Sequence, residues 1–171
     1  MVAENIYYPG DPDHLRGVLQ SAFLHTDTVN EDAPVTVAPF GAYEHSVSYI
    51  TSSLKAAGPR RPEVLIVLAP PNSDAEQAVL LPESDSFATP FGELPVAVDI
   101  LDELRLACGY FVTDEIAHLS DHSIEVLLPA VHYHYGTVPI VPLLVGRLSM
   151  RQLVPVADAL ARVQGERRVR I

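Results

Sequence analysis

Residues 63–69 read Glu-Val-Leu-Ile-Val-Leu-Ala and are stopped by Pro70 and Pro71. The apolar run leaves neither face of a strand polar, so both faces must be covered. That is how a central strand of a parallel sheet reads, with helices packed above and below it. The rest of the chain has to supply those helices and the neighbouring strands.

It does so in alternation. Asp11 followed by Pro12 marks a helix start, and Leu15, Val18, Leu19, Ala22 and Phe23 form its apolar stripe as far as about His25. A polar turn over 27–32 leads to Val35, Thr36, Val37 and Ala38, a β-branched run expected to be a buried strand. A helical stretch through Val47, Ile50, Leu54 and Ala57 closes at Gly58-Pro59. Beyond the central strand, 76–82 and 94–98 are expected as short strands joined by a turn-rich segment over 87–92. Asp99 is expected to cap a helix carrying Ile100, Leu101, Leu104 and Ala107, with a brief strand at 110–112. Residues 138–145 read as a strand whose Pro139 and Pro142 each remove a ladder donor, which places it at a sheet edge or at bulges. Ser149 caps a last helix through Leu153, Val156, Leu160 and Val163, and 167–171 begin another strand. The pattern is that of an α/β three-layer sandwich, with a mainly parallel central sheet, helices on both faces and a hairpin-like excursion near 76–98. At 171 residues, the expectation is one domain over 1–171.

Charge narrows the partners. The formal net charge of −11 opposes nucleic-acid binding, which depends on clustered Lys and Arg. Six of the eleven cationic side chains, Arg147, Arg151, Arg162, Arg167, Arg168 and Arg170, make the C-terminal quarter locally basic, which reads as a solvated face. Cys108 is the single cysteine, so an internal disulfide is excluded, and apolar neighbours mark it as an inert thiol. The N-terminus lacks a basic segment followed by an apolar one, and no apolar run is long enough to span a bilayer. A cytoplasmic protein without membrane contact is expected.

Possible chemistry concentrates at 118–129, His-Leu-Ser-Asp-His-Ser-Ile-Glu-Val-Leu-Leu-Pro. Asp121 or Ser123 can cap a helix, Glu125 then falls in its first turn, and Ile124, Leu127, Leu128 and Val131 recur at helical spacing. His122 would stand at the helix mouth, held by a rigid element yet able to reach a cleft. The same residues also suit plain capping and boundary roles. His132 and His134 fall where this helix is expected to end, after Pro129, where imidazoles favour the negative end of the helix dipole. Ligands in open α/β sheets collect beyond the carboxyl ends of strands, so the loops at 40–45 and 70–74 should open onto one cleft.

Six blocks occur in an order that resembles the MEMO family, whose members resemble class III extradiol dioxygenases in fold. They are Tyr-Tyr-Pro-Gly-Asp at 7–11, the loop at 39–43, Leu-Ala-Pro-Pro-Asn at 68–72, Thr-Pro-Phe-Gly-Glu-Leu-Pro-Val at 89–96, Asp-His-Ser-Ile-Glu-Val-Leu-Leu-Pro at 121–129 and Val-Pro-Ile-Val-Pro-Leu-Leu-Val-Gly at 138–146. They cover essentially all of this chain and about the first two thirds of the family pattern. The resemblance implies cleft histidines after the first loop's proline and in the loop after the next strand, where this sequence has Phe40 and Asn72. Only His122 carries over, with His118 and Asp121 beside it. A nonheme iron site wants about three His or carboxylate ligands in one facial set, so the resemblance implies a dismantled metal centre here.

The expected cleft therefore contains Phe40, Tyr43, Asn72, His118, Asp121, His122 and Glu125, with no catalytic residue, metal ligand or cofactor assigned. It would serve a small-molecule ligand, a protein partner or a second copy of the chain. The competing expectation is a metal-dependent oxidoreductase or dioxygenase-like enzyme of the nonheme iron type. Its site would be rebuilt around His45, His118 and His122, with Glu125 hydrogen-bonding behind them. A third is one half of an obligate assembly, motivated by the strand-like C-terminus and an open sheet edge.

Overall fold

The computed structural model describes residues 2–27, 32–72, 77–165 and 169–171. Residues 28–31 of the polar turn expected over 27–32, the end of the 70–74 loop, the strand start at residue 76, and Arg167 and Arg168 lie outside the described residues. The first helix is α1, Pro12–His25, with Asp11 as its cap: the carboxylate accepts the His14 N–H at 2.7 Å, and Pro12 spends its missing donor where none is needed. Helix α2 spans Tyr43–Ala56, and strand β1, Val64–Ala69, follows it. Strands β2, Val79–Leu81, β3, Ser86–Thr89, and β4, Gly92–Pro95, come next. They lead to helix α3, Val98–Ala107, strand β5, Phe111–Thr113, and the short helix α4, Glu115–Ser120. Helix α5, Leu128–Tyr135, strand β6, Ile140–Val145, helix α6, Met150–Gln164, and strand β7, Val169–Arg170, complete the order.

The main sheet runs β5-β2-β6-β1-β7, with β3 and β4 as a separate hairpin. All its pairs are parallel except β2 with β6. Helices α1, α2 and α5 pack together on one face, and α3 packs with α6 and against β5 and β6 on the other. The fold is thus α/β, with a mixed, mostly parallel sheet and helices on both sides. Leu65, Ile66 and Val67 of β1 and Val141 and Leu143 of β6 are buried in it, as expected of strands covered on both faces.

Five local expectations are corrected. The strand over 138–145, placed at an edge or at bulges from Pro139 and Pro142, is the central β6. Leu65 donates to the carbonyl of Pro139 and Ala97 to that of Ile140. Main-chain groups alternate sides along a strand, so Pro142 turns its missing donor away from β1. On that side β2 reaches only Leu144 and Val145, so Pro142 removes no ladder bond. Residues 35–38 form no sheet strand, and β7 takes that edge of β1. The Thr36 N–H donates to the Ile171 carbonyl and the Ile171 N–H to that of Pro34, and Val37 is 88% exposed rather than buried.

Asp99 lies in the first turn of α3 instead of capping it, and the turn-rich 87–92 segment contributes strand β3 and its turn. Finally, Asp121 and Ser123 do not open a helix. Residues 123–127 are hydrogen-bonded turns, and α5 starts at Leu128 because Pro129, which lacks an N–H, suits a first turn. Pro129 lies in its first turn, and His132 and His134 fall in its last turn as expected. Among the described residues, no helix is long and apolar enough to cross a membrane.

Candidate binding site

Four segments meet near the carboxyl end of β1. The N-terminal arm brings Tyr7, which is pinned to the start of α2 by the Tyr43 N–H donating to its carbonyl at 2.7 Å. The extended segment before α2 brings Phe40, the loop after β1 brings Asn72, and the link between α4 and the 123–127 turns brings Asp121 and His122. Asp121 fastens two of these segments. One carboxylate oxygen accepts the Asn72 N–H at 2.5 Å, and the other accepts the Ser123 N–H at 2.7 Å and the Ser123 hydroxyl. This is the local capping chemistry of an Asp at a turn, with an added bond across 49 residues.

His122 is held at both ring nitrogens. Nδ1 lies 3.2 Å from the Asn72 amide nitrogen and Nε2 lies 2.8 Å from the Tyr7 hydroxyl. An amide nitrogen can only donate, so Nδ1 accepts and Nε2 carries the proton directed at Tyr7. Tyr7, Phe40 and His122 form a three-ring cluster, with centroids 4.7 Å apart for Tyr7 and His122, 5.3 Å for Phe40 and His122 and 5.5 Å for Tyr7 and Phe40. All three pairs are tilted, which avoids the face-to-face stacking that ring quadrupoles oppose. Phe40 remains 43% exposed, so the cluster presents an open aromatic face.

The other expected site residues point elsewhere. Tyr43 is buried, its hydroxyl donates to the Val126 carbonyl at 3.0 Å, and burial pushes its ionisation well above the usual phenol range. Glu125 is also buried and faces the N-terminal arm. It accepts the N–H groups of Val2 and Ala3 at 2.8 and 3.0 Å and the Tyr8 hydroxyl at 2.8 Å. His118 turns Nε2 to the Leu80 carbonyl at 2.9 Å, and burial lowers its affinity for a proton. His45 is exposed in the first turn of α2. The sequence places Tyr7 only in the Tyr-Tyr-Pro-Gly-Asp block, and no local spacing separates it from core Tyr8, because Tyr7 lies in a turn closed by its N–H donating to the Ala3 carbonyl at 2.9 Å.

A family model described as Memo-like protein matches residues 2–171. The chain belongs to the Memo-like family. Its relatives include a MEMO1 family protein of Methanopyrus kandleri, 29% identical over 171 residues, which covers 94% of this chain and 60% of the relative. A MEMO1 family protein of Sulfolobus acidocaldarius is 30% identical over 173 residues, covering 91% and 58%, and one of Methanobrevibacter smithii is 26% identical over 167 residues, covering 91% and 59%. This Memo-like chain therefore spans about three fifths of the length of those relatives.

The donor set of this Memo-like site does not fit a metal ion. Around the cluster stand an imidazole with both nitrogens engaged, a carboxamide, a phenol and a phenyl ring, and the Asp121 carboxylate is committed to backbone and hydroxyl donors. Among the described residues, no three His, Cys, Asp or Glu side chains converge as a metal-holding group. His45, His118 and His122 accordingly do not come together.

Proposed function

We propose that this Memo-like protein is a binding module with no metal-borne reaction of its own, and that its recognition face is the cluster of Tyr7, Phe40 and His122, edged by Asn72. One observation carries this reading: Asn72 and Tyr7 occupy the two nitrogens of His122, leaving no free lone pair for a metal or a general-base step. The family resemblance supports it, since Phe40 and Asn72 stand where imidazoles are expected. The exposed ring face of Phe40 suits an apolar or aromatic group, offered by a small molecule or a partner chain.

Metal analysis tests the noncatalytic half of the reading. Protein purified without chelator is expected to contain no stoichiometric iron, copper or zinc. Titration with Fe(II), Cu(II) or Zn(II) is expected to give the same weak, nonsaturating uptake in the parent protein and in His122→Ala. Equimolar metal that is lost in the variant would overturn the proposal and restore an enzyme built on His122.

A further inference from the structure

A groove of about 1060 Å³ runs along α1 and α2 and meets the N-terminal arm at one end. The two helices lie side by side and point the same way. The arm ties their first turns together, since the Tyr43 N–H donates to the Tyr7 carbonyl, and at the other end the Thr26 and Thr51 hydroxyls meet at 2.9 Å. Val18, Ala22 and Val47 are half-buried in the groove, and Ile6 of the arm, 71% exposed, stands at its end. Gly17 is the residue that the chain itself does not explain. Glycine weakens a helix interior relative to alanine, yet here an added Cβ would meet nothing within 4 Å. A backbone laid into the groove comes closer over Gly17 and Ser21, one turn apart on α1, than over larger side chains.

Charge states what kind of chain fits. Asp13 and Glu44 stand in the first turns of α1 and α2, at the same end of the groove, and neither carboxylate has a partner among the described residues. Neither Lys nor Arg lines the groove to offset them. We infer that the groove takes an amphipathic helix of a partner protein, apolar on the face laid against Val18, Ala22 and Val47 and carrying Lys or Arg in its last turn. It runs antiparallel to α1 and α2. That direction brings its negative dipole end to their positive ends and its cations to Asp13 and Glu44. An acidic helix would meet like charge there, and a second copy of the chain would bring a net charge of −11 against the same sign. Tyr7 lines the groove and belongs to the ring cluster, so the inference rests on the proposed recognition face and extends it to a partner chain.

The probe is an acetylated, amidated helical peptide of 14 residues, the length of α1, with leucines along one face and arginines in its last turn. One control carries glutamates for the arginines, and a second scatters the leucines round the helix. NMR on the intact chain reads the Gly17 and Val47 amides for the groove and the His122 ring for the face. The arginine peptide is expected to shift Gly17 and Val47 in a saturable manner, and both controls to leave them unmoved. Gly17→Leu fills open space with a better helix former and is expected to weaken binding about tenfold or more while the fold stays intact. Asp13→Asn combined with Glu44→Gln is expected to weaken it about tenfold and to flatten its dependence on salt. Unmoved Gly17 and Val47, equal binding of the glutamate peptide, or full binding in folded Gly17→Leu protein would each overturn the inference. Shifts confined to the His122 ring would overturn the groove and leave the recognition face standing, whereas stoichiometric metal lost in His122→Ala would overturn the reading on which both rest.

Discussion

Glu125→Ala is expected to destabilise the protein by about 4 kcal/mol, because three donors lose one acceptor at once. The Glu125 carboxylate takes the Val2 and Ala3 N–H groups and the Tyr8 hydroxyl, and all of these bonds span more than 110 residues of sequence. Ala3 and Tyr8 are buried, so water cannot replace the lost partner while the arm stays in place. The lowest-energy response is release of the arm, which exposes Tyr8 and withdraws Tyr7 from His122. Glu125→Gln keeps one acceptor oxygen and is expected to cost about half as much. Tyr8→Phe removes a single donor and is expected to cost about 1 kcal/mol. Urea unfolding gives the three values, and hydrogen exchange or limited proteolysis of residues 2–10 reports arm release. Parent-like stability in Glu125→Ala would show that the arm is held by its apolar contacts alone. Loss of the Tyr7 contact is also expected to free His122 Nε2, which makes Glu125 a remote support of the aromatic face.

What the sequence reveals of this architecture is set by the range of the interaction involved. Local chemistry is legible: Asp11 and Pro12 start α1 within three residues, Ser149 and Gln152 form the capping box of α6, and the unbroken apolar run of β1 requires cover on both faces. Pairing between distant segments is not. Pro139 and Pro142, just before and within β6, read as an edge or as bulges because the sequence cannot say which way each residue faces, and Pro142 is harmless only because its empty side points past the end of β2. Residues 35–38 have strand composition but lose the place beside β1 to β7, a competition between segments more than 130 residues apart. The site divides in the same way. Asn72 follows from the loop at the end of β1, and Phe40, Asp121 and His122, which the order of motifs singles out, do meet it there. Tyr43 and Glu125 lie in the same blocks of sequence but face the core and the arm. Their polar atoms are used up in tertiary hydrogen bonds that no local spacing encodes.

Mild acid is expected to weaken the fold through three buried imidazoles. Burial lowers the proton affinity of His118, His132 and His134 below the ordinary imidazole value of 6.5. The Leu80 carbonyl opposes this at His118 and the Gly58 carbonyl at His134, and Lys55 adds to it at His134. In the unfolded chain all three protonate near 6.5, whereas in the fold they stay neutral to lower pH. Between those limits the unfolded state binds more protons, so stability is full above 6.5 and falls as pH drops below it. The fall levels off once the folded values are passed. Each histidine adds at most about 1.4 kcal/mol per pH unit, and less wherever solvent reaches the ring. A separate loss follows at lower pH, where Glu115 and Asp32, held below their usual values, take up protons. His134→Phe separates the contributions. It keeps the stack on Phe23, whose ring lies 5.0 Å away at 7°, and removes the buried Nε2 that has no partner among the described residues. Urea midpoints measured from pH 7.5 to 5 should show a shallower fall in this variant, with stability at pH 7 equal to or above the parent. A flat parent profile across that range would mean that the three imidazoles titrate alike in the folded and unfolded chain, and that their burial carries no linkage to folding.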